Sequence, residues 1–213
     1  MVRLPAHAPG LRVGLYGGTF NPAHAGHRHV SLLALKRLQL DRLWWIVTPG
    51  NPLKDRGGLA PACERAEAAR ALARHPRIDI TCFEEEIGSA YTVQTLDYLA
   101  GRCPAVRFVW IMGADSLASF HRWRGWRRIA ETMPIAVIDR PGWTLRAARS
   151  PVATALAAGR IDESDAPLLA GLEAPAWTFL HGPRSSLSST ELRRRREPLH
   201  GPAVAIGRQA TLS

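Results

Sequence analysis

His24 and His27 stand three residues apart in the stretch GGTFNPAHAGH, which runs from Gly17 to His27. Two imidazoles so spaced, beside glycine and proline, can serve a metal site, an acid–base pair or a cradle for phosphate. Zinc needs third and fourth ligands, and no cysteine or acidic residue lies near these histidines in sequence. A nucleophile–histidine relay lacks its G-x-S-x-G elbow. A proline–glycine loop argues against a core role for the two rings. A phosphate cradle meets no such objection. Gly17 and Gly18 let backbone approach a ligand, and Thr19 and Phe20 offer N–H groups. A helix starting near Gly26 would add its positive dipole end. The pattern is neither the dinucleotide fingerprint G-x-G-x-x-G nor a Walker lysine loop.

The elements that would hold this loop follow from the apolar pattern. LRVGLY (11–16), RLWWIVTP (42–49), IDITCF (78–83), VRFVWIM (106–112), PIAVID (134–139) and WTFLH (177–181) read as buried strands. Helical patterns lie between them. Val30, Leu33, Ala34 and Leu38 form one apolar face after His27, and Pro61 opens a strong helix former. TVQTLDYLA reads as a short helix stopped by Gly101, and a helical stretch carries Trp123, Trp126 and Ile129. Residues 144–175 are the least readable. Strands alternating with helices predict an α/β, Rossmann-like, doubly wound and mostly parallel sheet. With strand order 3-2-1-4-5, ligands bind where the order reverses, between strands one and four. There the Gly17–His27 loop would meet MGADS (112–116), which contains Gly113 and Asp115. We read a single domain over residues 1–200, with a C-terminal helical portion and a tail at 201–213.

The 213 residues carry a net charge of +10, and Lys36 and Lys54 are the two lysines among 28 basic residues. Such an arginine excess suits a polyanionic ligand, nucleotide or nucleic acid, and equally a solvated basic surface. No RNP-like interleaving of aromatic and basic residues supports an RNA-binding protein. No apolar run approaches the ~18–20 residues of a membrane span. The first ten residues lack the apolar core of a signal peptide. Cys63, Cys82 and Cys103 are odd in number and without C-x-x-C spacing, so a cytoplasmic protein with reduced, buried thiols is expected.

GGTFNPAHAGH resembles the H-x-G-H signature of the adenylyl- and cytidylyltransferase superfamily, nearest to the bacterial nicotinate-nucleotide adenylyltransferases. VTPGNPLKD, AYTVQTL, WIMGADSLASFHRWRGWRRI, VIDRPG and LSSTELR resemble further elements of that family, in order along the chain. Asn21 stands where Asp is frequent in that family, Leu53-Lys54 of the 50–58 loop replaces a Pro-His-Lys type of ending, and 144–175 matches poorly. The resemblance implies AMP transfer from ATP to nicotinate mononucleotide, with Mg²⁺ accompanying ATP, no nucleic-acid partner and no membrane. A same-chemistry rival is phosphopantetheine adenylyltransferase. The sequence leaves oligomeric state open, a homo-oligomer included.

It further implies that His24, His27 and Lys54 act on the reacting phosphates. Gly17, Gly18, Thr19, Phe20, Gly113, Asp115, Ser188, Ser189, Thr190 and Arg193 would bind ATP and its phosphates. Tyr91, Thr92 and Trp123 would bind nicotinate, with Trp123 stacked on the pyridine ring. No residue is assigned as a protein metal ligand. Trp110 and Trp126 are expected in the core. His29, His75 and His121 are expected to be ordinary histidines, and Arg194–Arg196 a solvated helix end.

Overall fold

Six parallel strands form one sheet in the order β3-β2-β1-β4-β5-β6 in a computed structural model that describes residues 2–50 and 59–182. The strands are β1 (Arg12–Gly18), β2 (Arg42–Val47), β3 (Ile78–Thr81), β4 (Arg107–Gly113), β5 (Ile135–Ile138) and β6 (Trp177–Leu180). Helices α1 (Ala25–Arg37) and α2 (Ala62–Ala73) follow β1 and β2; α3 (Phe83–Glu86) and α4 (Thr92–Arg102) follow β3. After β4 come α5 (Ala114–Ser119) and α6 (Trp126–Thr132), and after β5 come α7 (Thr144–Ala148) and α8 (Pro151–Ala155).

Side chains alternate along each strand, so each face has its own core. Val13, Leu15, Trp44, Trp110, Val137 and Phe179 face α4, α5 and α6 on one side. Tyr16, Trp45, Val109, Ile111 and Ile138 face α1 and α2 on the other. The α/β doubly wound expectation holds, and the order supposed for five strands is found, with β6 added beside β5. The chain leaves β1 toward β2 and later returns to the other side of β1 as β4. The C-terminal ends of β1 and β4 are therefore the switch point.

Several boundaries differ from the sequence reading. Gly17 and Gly18 are the last residues of β1, so the turn begins at Thr19. IDITCF ends as a strand at Thr81, and Phe83 turns into α3, covered by the core. Gly101 lies inside α4, where the last turn tolerates the ~1 kcal/mol that glycine costs relative to alanine. Trp123 is not helical: it sits in a turn broken from α6 by Gly125 at φ +67. Residues 144–175 form two short α-helices and 3₁₀ segments, too short for a periodic signal.

Cys63, at the start of α2, is disulfide-bonded to Cys82 at the end of β3, with Cα atoms 5.4 Å apart. This corrects the expectation of three reduced, buried thiols. Cys63 is exposed, and Cys103 is the free, buried cysteine. No helix among the described residues is long and apolar enough to cross a membrane.

The bridge closes a loop of sequence separation 19. Constraining the unfolded chain that much is worth about 3 kcal/mol. Thiol titration of the denatured, unreduced protein should find one thiol, and reduction should lower the unfolding free energy by about that amount. Three titratable thiols, or an unchanged denaturant midpoint on reduction, would contradict the bridge.

Candidate active site

His24 is the N-cap of α1, extended at φ −150 and ψ 167. Its Nδ1 accepts from Gly26 N at 3.1 Å, and His27 Nδ1 accepts from His24 N at 3.2 Å. Two histidines thus build the reciprocal bonds of a capping box, usually the work of serine and glutamate. An N–H can only donate, so each neutral ring must carry its proton on Nε2. Both rings therefore present Nε2–H as a donor.

Both histidines are buried, which corrects the view that this loop keeps them out of the core. The ring centroids lie 3.9 Å apart. Burial lowers the His24 pKa to about 4, assisted by the positive charge of Arg140. Burial lowers His27 further, to about 3, with His24 and Arg140 adding to it. At neutral pH both are uncharged. Phe20 wedges beneath them: it stacks on Trp45 at 4.8 Å and lies 4.7 Å from His27, with φ at +46.

The glycines of β1 serve close packing rather than flexibility. A Cβ on Gly17 would meet the Trp110 ring at 2.5 Å. Trp110 is in the core as expected, whereas Trp126 is only half-buried, with Arg127 over its ring. At the end of β4, a Cβ on Gly113 would meet Asp115 Oδ1 at 2.4 Å. That Oδ1 is buried, without a hydrogen bond among the described residues, 3.5 Å from Arg140 Nε.

Arg140 was not singled out from the sequence, yet its charge acts on His24, His27 and Tyr16 and it pairs with Asp115. Its place just past β5, on the strand-end side of the sheet, was the available signal. His75 Nδ1 accepts from Arg77 N at 3.2 Å, ahead of β3, and His121 is exposed in a 3₁₀ turn.

The second cluster forms at the start of α4. Tyr91 is its N-cap and Thr92 its first residue, as the sequence implied. The first-turn amides of a helix have no partner within it, and its dipole end is positive. The turn containing Trp123 packs against this end: a Cβ on Gly125 would lie 3.2 Å from Val93 Cγ2. Arg124 lies over the Tyr91 ring at 4.7 Å, and Trp123 packs edge-on to Phe120. Tyr91, Thr92 and Trp123 are thus brought to one locality. Lys54, Ser188, Ser189, Thr190 and Arg193 lie outside the described residues, as do Arg194–Arg196 and the tail.

The family model for cytidylyltransferase-like proteins matches residues 15–195. The chain belongs to the cytidylyltransferase-like family. It is 65% identical to the "Probable nicotinate-nucleotide adenylyltransferase" of Methylorubrum extorquens (strain PA1), over 87% of this chain and all of that relative. It is 58% identical to the protein of the same name from Rhizobium meliloti (strain 1021), over 86% of this chain and 97% of the relative. Among solved structures, Plasmodium falciparum nicotinic acid mononucleotide adenylyltransferase complexed with NaAD superposes with a TM-score of 0.63 at 18% identity, covering 86% of this chain and 83% of that one. That likeness shows the shared nucleotidyltransferase fold.

The lowered histidine pKa values have a sign. The unfolded rings, at ~6.5, bind protons that the folded rings refuse, so their contribution destabilises the fold as pH falls from ~6.5 toward 4. Glu84, whose buried carboxyl is raised to about 7, acts oppositely as pH rises from its ordinary range. Imidazole NMR titration separates the two effects. The His24 and His27 C2–H signals of ligand-free protein should hold their neutral-form shifts down to pH 5. A midpoint near 6.5 for either ring would contradict the buried, neutral pair.

Proposed function

We propose that the chain transfers the adenylyl group of ATP to nicotinate mononucleotide, forming nicotinate adenine dinucleotide and pyrophosphate. The observation that carries the chemistry is the capped histidine pair, presenting two neutral Nε2–H donors at a helix N-terminus on the sheet's switch point. The choice of acceptor is supported by the names of relatives 58–65% identical to this chain.

The acceptor's phosphate monoester has a second pKa of ~6 and is largely dianionic at neutral pH. One of its oxygens attacks the α-phosphorus of ATP, a new P–O bond forms, and the bond to the bridging oxygen of pyrophosphate breaks with its electron pair. No general base is required. Catalysis is then alignment and stabilisation of charge on the non-bridging oxygens. His24 and His27 supply that stabilisation as donors, with Gly17, Gly18, Thr19 and Phe20 shaping the backbone around the phosphates. Gly113 gives the nucleotide room, and Asp115 accepts from its ribose or base. Lys54 joins the histidines at the phosphates, while Ser188, Ser189, Thr190 and Arg193 hold the departing pyrophosphate. The cradle's donors are N–H groups, which cannot ligate a cation. Mg²⁺ therefore enters as part of the substrate, on the triphosphate oxygens.

Tyr91 and Thr92 present the start of α4 to the pyridine substituent, and Trp123 stacks on the ring. Residues 1–200 act as one domain with 201–213 as a tail, and no nucleic acid takes part. We place the enzyme in the cytoplasm, where ATP is abundant and the Cys63–Cys82 pair would meet thiol–disulfide exchange.

Acceptor profiling in the presence of Mg²⁺ tests this reading. A carboxylate at the positive end of α4 gains charge-assisted bonds of ~1.5–3 kcal/mol, whereas an amide turns its NH₂ toward the same donors. Nicotinate mononucleotide should exceed nicotinamide mononucleotide by on the order of 10²-fold in kcat/KM, with no pyrophosphate released against phosphopantetheine. Equal efficiency with the two mononucleotides, or transfer to phosphopantetheine, would contradict it.

A further inference from the structure

Arg65 lies in the first turn and a half of α2 and is buried, with 5% of its surface exposed. Its guanidinium donates from Nε to Ala60 O at 2.8 Å and from one terminal nitrogen to Thr48 O at 2.6 Å. The other terminal nitrogen donates to Thr19 O. These three carbonyls belong to three segments: the entry to α2, the residue after β2, and the cradle after β1. No ion pair to Arg65 occurs among the described residues. The acidic group whose charge reaches it is Glu85, whose carboxylate accepts from Ala62 N at 2.7 Å at the start of the same helix.

Burying a cation without a carboxylate is costly, and α2 otherwise packs through Ala62, Ala66, Ala69 and Ala73. An apolar side chain would fill the same space without that cost. What the guanidinium supplies is three donors in a planar fork, a geometry no other side chain offers. Thr48 N already donates to Gly18 O at 2.9 Å, tying the ends of β1 and β2. Arg65 extends that tie past the last ladder bond, to the Thr19 carbonyl. In a planar trans peptide the C=O and the following N–H point in opposite directions. Fixing Thr19 O toward Arg65 therefore directs Phe20 N–H away from it. Phe20 also holds φ at +46, a conformation unfavourable for a bulky side chain unless its surroundings impose it.

We propose that Arg65 is a positioning residue for AMP transfer: it clamps the Thr19 and Thr48 carbonyls and thereby sets the peptide plane that aims Phe20 N–H into the phosphate cradle. The proposal rests on the cradle being the site of transfer, as argued above. Arg65 touches no substrate in this account; it acts through the backbone of residues 19 and 20. Lysine keeps the charge but converges its three donors on one nitrogen, so it cannot span the three carbonyls.

The test compares wild type with Arg65→Lys and Arg65→Met. Each is assayed for kcat and KM per folded molecule, with the folded fraction taken from circular dichroism at the assay temperature. Amide hydrogen exchange is followed in peptides covering 17–20 and 46–48, with 107–112 of β4 as the reference for global opening. A misplacement of about 1 Å in a positioning group costs on the order of 10²-fold in rate. Arg65→Lys should lose about that much kcat while KM for each substrate stays within about threefold. Exchange should accelerate at 17–20 relative to 107–112. Loss of thermal stability with kcat per folded molecule within about threefold of wild type would overturn the proposal. Unchanged relative exchange at 17–20 would overturn it as well. Absence of AMP transfer in wild type would instead strike the proposed function, and the exchange comparison would then decide the clamp alone.

Discussion

The two cap bonds accepted by His24 and His27 at the start of α1 are the constraint on which the site depends. Capping α1 consumes Nδ1 of both rings, and that fixes the tautomer, the orientation and the free donor of each. These bonds therefore satisfy two orphan amides at the helix start and prepare two Nε2–H groups at the same place. Burial then keeps the rings neutral, with Arg140 opposing any added positive charge. A neutral donor near a polyanion need not lose a proton or gain one to stabilise developing charge. This suits a reaction whose nucleophile arrives already ionised.

The rest of the fold serves to hold that cap against the crevice. Trp110 packs so closely beneath Gly17 that no side chain fits there, and Phe20, stacked on Trp45 and tilted against His27, fills the space behind the rings. Trp45 donates to Ser31, and Ser31 donates to the His27 carbonyl one turn below, linking β2 to α1 through buried polar groups. The parallel sheet supplies the other half of the site. Because β4 returns beside β1, Gly113 and Asp115 reach the cradle from far away in sequence.

What could be read from the sequence was what repeats or punctuates. Buried parallel strands are continuous apolar runs, so all six were legible, and their alternation with helices pointed to a doubly wound parallel sheet. The histidine pair stood out through its spacing, Gly113–Asp115 through the place of their loop at the switch point, and Tyr91–Thr92 through resemblance to the family. Arg65 and Arg140 did not, because their roles come from contacts across the sheet ends rather than from neighbours in the chain. Among 26 arginines, nothing local separates a buried clamp from a solvated side chain. Cys63 and Cys82, nineteen residues apart, meet only because α2 starts beside the end of β3. Trp123 was assigned to a helix because Gly125 interrupts it without disturbing the apolar spacing. The burial of His24 and His27 was hidden by the polar look of their loop; Phe20 of the same loop and Trp45 of β2 pack on His27.

The central claim is that the His27 Nε2–H stabilises the transition state while its Nδ1 serves the cap. His27→Asn keeps a side-chain acceptor for the cap and removes that donor. The decisive measurement is kcat for this variant, beside the Kd of ATP by calorimetry. Removing one such donor costs roughly 10²–10³-fold in rate at comparable oxyanion sites. The account predicts a fall of that size in kcat, with the Kd of ATP changed by no more than about tenfold. A near-normal kcat would mean that His27 serves only the helix cap, and would contradict the account.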